Sequence, residues 1–167
     1  MARNQSVTLE SGQFGNLNRN LEDQQEENRV APILPNYSFT NCPIQTSLGV
    51  LGKKWTLLIL RDIGLLKIDR FNRILETLPG LPRKVLSARL KELEREGYIE
   101  CSERKKSPMV VRWTMTQKGN DTLPILMRFI AFGSRWYPDT VFPDKTPRRL
   151  TELFSTPEAK ELISGYV

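Results

Sequence analysis

Residues 69–115 read DRFNRILETLPGLPRKVLSARLKELEREGYIECSERKKSPMVVRWTM, and this stretch decides the fold. Phe71, Ile74, Leu75 and Leu78 recur at i, i+3, i+4 and i+7, the apolar stripe of a helix. Asp69 stands ahead of that stripe as a candidate cap, and Pro79-Gly80 stops it. A second helix is expected to start near Pro82, because proline suits the first turn and not the interior. Its buried stripe is Leu86, Leu90 and Leu93, and Gly97 ends it.

With residues about 100° apart around a helix, the arc opposite those leucines carries Arg83, Lys84, Ser87, Ala88, Lys91 and Arg95. Glu92, Glu94 and Glu96 fall nearer the sides and later in the helix. Cations with small residues between them are what a helix needs in a DNA major groove: charge for phosphate, and short side chains where the backbone comes close. A basic face alone would favour the plainer reading, a solvated surface with ordinary ion pairs. The next segment shifts the balance. Val111, Trp113 and Met115 alternate with Val110, Arg112 and Thr114, a strand with one buried face. Tyr98 to Arg104 is its expected partner, and Lys105 and Lys106 sit at the connection. Helix, turn, helix and a hairpin with a basic tip is the order of a winged helix-turn-helix.

Charge supports this reading. The chain of 167 residues has a net charge of +6. Residues 1–40 hold three basic and five acidic side chains, 138–167 hold four and five, and 41–137 hold 18 and nine. Positive charge concentrated in the middle is the footprint of a polyanion partner. Histidine is absent, which removes the commonest general base and metal ligand. Cys42 and Cys101 offer neither a disulfide framework nor zinc spacing, although a bond between the two stays open. No signal peptide and no apolar run long enough for a bilayer is expected, so a cytoplasmic protein without a membrane partner is the expectation.

Outward from the central stretch, residues 1–40 are polar and aperiodic and are expected to form a flexible arm. Cys42-Pro43 opens a first helix with Ile44, Leu48 and Leu51 on its apolar side. Trp55 to Ile63 is nearly all apolar, which predicts a central helix buried all round, ended by Gly64. Leu65 to Ile68 is a candidate short strand beside the wing. Thr116 is a good N-cap for a long helix to about Trp136, with a kink expected at Pro124. Leu126, Phe129, Ile130, Trp136 and their neighbours exceed one buried face. A deeper local core is one account. A second buried face, at an interface with another copy, is preferred because so wide an apolar arc would otherwise meet water. Residues 138–167 form an accessory segment, with short helices expected over 148–154 and 157–163.

Cys42-Pro43-Ile44, Gly52-Lys53-Lys54-Trp55-Thr56-Leu57-Leu58-Ile59-Leu60, Leu78-Pro79-Gly80, Lys84-Val85-Leu86, Gly97-Tyr98-Ile99 and Thr116-Gln117-Lys118-Gly119 together resemble the HxlR family of prokaryotic winged-helix transcription regulators, akin to MarR regulators. The resemblance spans about 41–137. It implies a homodimer joined through its first and last helices, with Ile44, Leu48, Leu51, Leu126, Phe129, Ile130 and Trp136 at the interface, on a two-fold operator in double-stranded DNA. Lys53 replaces the family's usual second glycine, and Pro82-Arg83 stands where Ser-Pro is common. Cys42 occupies the position of a redox-sensing cysteine in some members. A helix N-terminus favours the reactive thiolate, but a buried or capping role for Cys42 without chemistry is the preferred reading.

The expectation is therefore mainly α with a small β hairpin (α+β), a dimeric winged helix-turn-helix: an arm (1–40), a winged domain with its dimerisation helix (41–137) and an accessory segment (138–167). Its function is sequence-specific DNA binding by Arg83, Lys84, Ser87, Ala88, Lys91, Arg104, Lys105 and Lys106, without cofactor or metal. Thiol oxidation or a small ligand is a candidate control. A winged helix that docks on protein is the alternative. An enzyme is not expected, because no histidine, glycine-rich phosphate loop or carboxylate cluster supports one, and Asp62 and Asp69 read as helix-end residues.

Overall fold

A computed structural model describes residues 35–106 and 109–164, without the side chains of 104–106 and 109–110. The expected arm therefore falls largely outside the described residues. The chain parts into two compact units between Gly49 and Val50. In the first, residues 35–40 are exposed and without regular structure, and helix α1 (Pro43–Leu51) begins and runs on into the second.

The second unit contains α2 (Thr56–Gly64), α3 (Phe71–Thr77), α4 (Arg83–Arg95), strands β1 (Ile99–Lys106) and β2 (Met109–Met115), α5 (Gln117–Asn120), α6 (Leu123–Trp136), α7 (Pro138–Val141), α8 (Leu150–Leu153) and α9 (Pro157–Ser164). The two strands pair antiparallel, Ile99 opposite Met115 and Cys101 opposite Trp113, with an irregularity between Cys101 and Glu103. The core joins α2, α3, α4, the hairpin and α6 through Ile59, Leu60, Ile74, Leu86, Leu93, Ile99, Trp113 and Leu126.

Several local expectations need correction. Helix α2 is not buried all round: Leu58 is 39% exposed, while Asp62, in the same helix, is fully buried. Asp62 is more than a helix-end residue. Arg61 donates to its Oδ1 from Nε (2.9 Å) and Nη2 (2.6 Å), and the Thr77 hydroxyl donates to Oδ2. A carboxylate removed from water needs partners of this kind. Here they tie α2 to the last turn of α3. Asp69 does not cap α3, whose N-cap residue Arg70 makes no side-chain capping bond. No strand forms over Leu65–Ile68. A single bridge of Arg70 to Arg112 stands in its place, with the Trp113 amide donating to the Asp69 carbonyl at 3.0 Å.

Thr116 does cap, accepting from the Gly119 amide at 3.1 Å, but the helix it opens is the short α5. Pro124 produces no kink, because a new helix, α6, begins at Leu123 and leaves the proline in its first turn. Beyond α6, Leu150 is buried and Leu162 packs against the core, so the C-terminal segment folds onto the domain.

Candidate nucleic-acid interface

The turn between α3 and α4 is made by Leu78–Pro82. Leu78 and Leu81 are buried, and Gly80 takes φ +86°, a left-handed conformation open to glycine at little cost. Leu86, Leu90 and Leu93 bury one side of α4. The opposite side therefore faces water: Arg83, Lys84, Ala88 and Lys91 are exposed and Ser87 is half-buried.

The charges on this helix are not equivalent. Glu92 is only 13% exposed and gathers three cations: Lys53, Arg89 (2.9 Å) and Arg95 (3.8 Å). The Lys53 hydrogen bond, followed by the charges of Lys53 and Arg89 acting against burial, holds its carboxyl below the ordinary value of 4.5. Arg95, on the arc expected to face DNA, also pairs with Glu96 at 3.0 Å. Arg83 donates to the Asn72 side chain at 3.2 Å and lies over the Phe71 ring, so α3 fixes its direction. Lys84 and Lys91 have no ion pair among the described residues.

The wing is anchored by a residue that sequence reading left as one of an alternating set. Arg112 on β2 donates to Asp69 ahead of α3 (2.6 Å) and to Glu103 on β1 (2.6 Å). These bonds, Asp69 first, raise the guanidinium pKa above its usual value. Arg112 thereby locks the hairpin to the helix-turn-helix. The backbone of Arg104, Lys105 and Lys106 lies in β1, and their side chains are outside the described residues.

Apolar side chains are exposed in each unit separately. On α6, Phe129 (57%) and Trp136 (61%) are exposed and Ile130 is half-buried; on α1, Ile44 (71%) and Leu48 (54%) are exposed. Leu51 and Leu126, expected at the same interface, are buried within the protomer, and Leu126 also lines the hollow beside α6. A hollow of about 400 Å³ opens between α2 and α6, lined by Leu57, Leu58, Arg61, Leu126, Phe129 and Ile130. Cys42 and Cys101 are free thiols, each half-buried.

The model of the HxlR-like helix-turn-helix family matches residues 50–141. The chain belongs to that family. This HxlR-type transcriptional regulator is 32% identical over 101 residues to the HTH-type transcriptional regulator YodB of Bacillus subtilis, covering 58% of this chain and 87% of YodB. It is 31% identical over 91 residues to the uncharacterised HTH-type regulator YdzF of the same organism, covering 54% and 84%. Among solved structures, a MarR-family regulator from Porphyromonas gingivalis W83 is 29% identical with a TM-score of 0.50, over 59% of this chain and 96% of that one. The redox regulator HypR in its oxidised form is 26% identical with a TM-score of 0.50, over 55% and 94%. The family match begins after Cys42, Ile44 and Leu48 and ends at residue 141. Among the described residues, no helix is long and apolar enough to cross a membrane.

Glu92 generates a pH prediction. Its folded pKa lies below the unfolded value, so its contribution is complete above about pH 5 and is lost as pH falls through the folded value. Glu92→Gln should lower the urea midpoint at pH 7, and the gap to wild type should narrow when the comparison is repeated in acid, below the ordinary carboxylate value. A gap of the same size at both pH values would show that the ion pairs carry none of it.

Proposed function

We propose that this HxlR-type regulator binds double-stranded operator DNA as a homodimer, with α4 in the major groove and the hairpin reaching the flanking backbone. The observation that carries the reading is the division of charge on α4. Lys84 and Lys91 stand exposed beside Ser87 and Ala88, while Arg89 and Arg95 are engaged by carboxylates. A cation already paired must exchange one partner for another, whereas Lys84 and Lys91 exchange only water and counterions for phosphate or a base edge. Arg104, Lys105 and Lys106 would add affinity from the wing with little base discrimination. A protein-docking winged helix has no observation in its favour.

Replacing Lys84 and Lys91 together by alanine should weaken operator binding by roughly 1–3 kcal/mol for each base-reading residue, with the fold intact. A mere phosphate contact would weaken all sequences alike and flatten the salt dependence. Unchanged affinity in fluorescence anisotropy, with a wild-type circular dichroism spectrum, sinks the assignment.

The homodimer rests on the exposed apolar groups of α6 and of α1, and on the open hollow beside Phe129 and Ile130. Two copies related by a two-fold axis would set their α4 helices about 34 Å apart, one DNA turn. Phe129→Asp should give a folded monomer with little operator affinity, because the 57% exposed ring has a small role in its own protomer. A wild-type chain that sediments as a monomer at operator-saturating concentration is the contrary result.

Thiol control is the proposed input. Cys42 directly precedes α1, which carries Ile44 and Leu48, and HypR, a structural neighbour, is a redox regulator. Modification there would add bulk or charge to an element of the proposed interface, and only a state-dependent difference in assembly would alter DNA affinity. Diamide should weaken operator binding reversibly in wild type and leave Cys42→Ser unaffected. Equal responses of the two proteins would mark Cys42 as structural.

A further inference from the structure

Residues 142–164 lie beyond the family match and fold back on α6. A cleft of about 590 Å³ opens where they meet it. Three guanidiniums line this cleft, Arg135 from α6 and Arg148 and Arg149 from the segment before α8, against one carboxylate, Glu152. Glu152 is turned toward the main chain, where its Oε2 accepts from the Arg149 amide at 2.8 Å. Arg148 is held by both oxygens of Asp144 (3.0 and 2.5 Å) and lies over the Phe142 ring at 4.5 Å. Arg135 lies over the Trp136 ring at 5.1 Å. Neither Arg135 nor Arg149 has an ion-pair partner among the described residues. The remaining walls are apolar, from Ala131, Pro147 and Leu150.

Unpaired guanidiniums brought to one cleft repel each other unless an anion lies between them. Their planar donor forks match a carboxylate or phosphoryl group. The concavity matters as much as the charge. A DNA backbone lies along a continuous basic surface, whereas a half-open cleft with apolar groups beside its arginines can seat a small molecule. We propose that this cleft binds a small organic dianion, a dicarboxylate or phosphate monoester with an apolar body, with its charged groups on Arg135 and Arg149 and its body against Ala131, Pro147 and Leu150. The site goes beyond the operator reading and does not depend on it.

The test is calorimetry on the full chain without DNA, using phthalate, phenyl phosphate and inorganic phosphate as probes. At least one aromatic dianion should bind more tightly than inorganic phosphate, and Arg135→Gln/Arg149→Gln should weaken that binding by about tenfold or more. Both arginines are exposed, so the variant should keep the wild-type melting temperature measured without ligand. Preference between phthalate and phenyl phosphate tells a carboxylate site from a phosphate site. No binding of either aromatic probe overturns the proposal, as does binding unaffected by the double substitution or no tighter than that of inorganic phosphate. Operator affinity that falls in the double variant without any added anion, with a shallower salt dependence, would assign these arginines to DNA and also overturn it.

Discussion

The burial of Leu86, Leu90 and Leu93 on one side of α4 is the constraint on which the rest of the structure depends. Each leucine fully removed from water contributes roughly 2 kcal/mol, so together they fix how the helix is rotated about its own axis. Turning it by one residue would expose a leucine and push a charged neighbour into the core. The residues offered to a partner are therefore selected by the core. Leu78 and Leu81 do the same for the angle between α3 and α4, because both ends of the turn are buried. The proposed DNA face is thus a consequence of packing, and its specificity can vary through Lys84, Ser87, Ala88 and Lys91 without disturbing the scaffold.

Polar groups set what apolar packing leaves free. Asp62 is fully enclosed yet satisfied, by Arg61 beside it and by Thr77 on α3. Breaking such a pair by removing one partner costs more than the pair itself contributes, since the other is left unsatisfied. Arg112 has the corresponding role at the surface. A two-stranded hairpin alone is marginal in water. Bonding Arg112 to Asp69 and Glu103 joins both strands to the approach of α3. The wing is then carried with the helix-turn-helix rather than hinged from it.

Elements defined by periodicity were legible in the sequence. The stripes of α3 and α4, the alternation of β2 and the Thr116 cap all rest on local rules, and the helix-turn-helix and hairpin follow from them. Failures arose where tertiary contacts override local rules. Asp69 looked like a cap, but the carboxylate bonds a strand 43 residues away. Pro124 looked like a kink because α5 and α6 read as one helix, and only the break at Asp121 and Thr122 puts the proline in a first turn. An apolar composition suggested that α2 was buried throughout, but composition does not register that one flank opens on a hollow. Leu51 and Leu126 were indistinguishable by type from exposed neighbours such as Leu48 and Phe129, since hydrophobicity does not say which partner covers a side chain. The arginine cleft had no sequence signal, because Arg135 and Arg149 line one cleft only when the C-terminal segment turns back on α6.

The number of basic side chains overstates what a polyanion meets on this surface. Lys53, Arg89 and Arg95 converge on Glu92, Arg61 on Asp62, Arg73 on Glu76 and Arg112 on Asp69 and Glu103. The one-to-one pairs are nearly neutral beyond a Debye length of about 8 Å at physiological salt, Glu92 offsets part of the charge around it, and Arg112 is outnumbered by its two carboxylates, so these cations attract a distant polyanion less than their number suggests. The positive potential outside α4 comes chiefly from groups without carboxylate partners among the described residues, Arg83, Lys84 and Lys91. The acidic residues of α4 have two roles. They anchor the helix to the turn before α2 through Lys53, and they neutralise its last turns so that the charge is concentrated near its start. The N-terminal half of a recognition helix is the part that reaches base edges, and the helix dipole adds positive potential at the same end. Glu92 therefore shapes the proposed DNA face without lying on it.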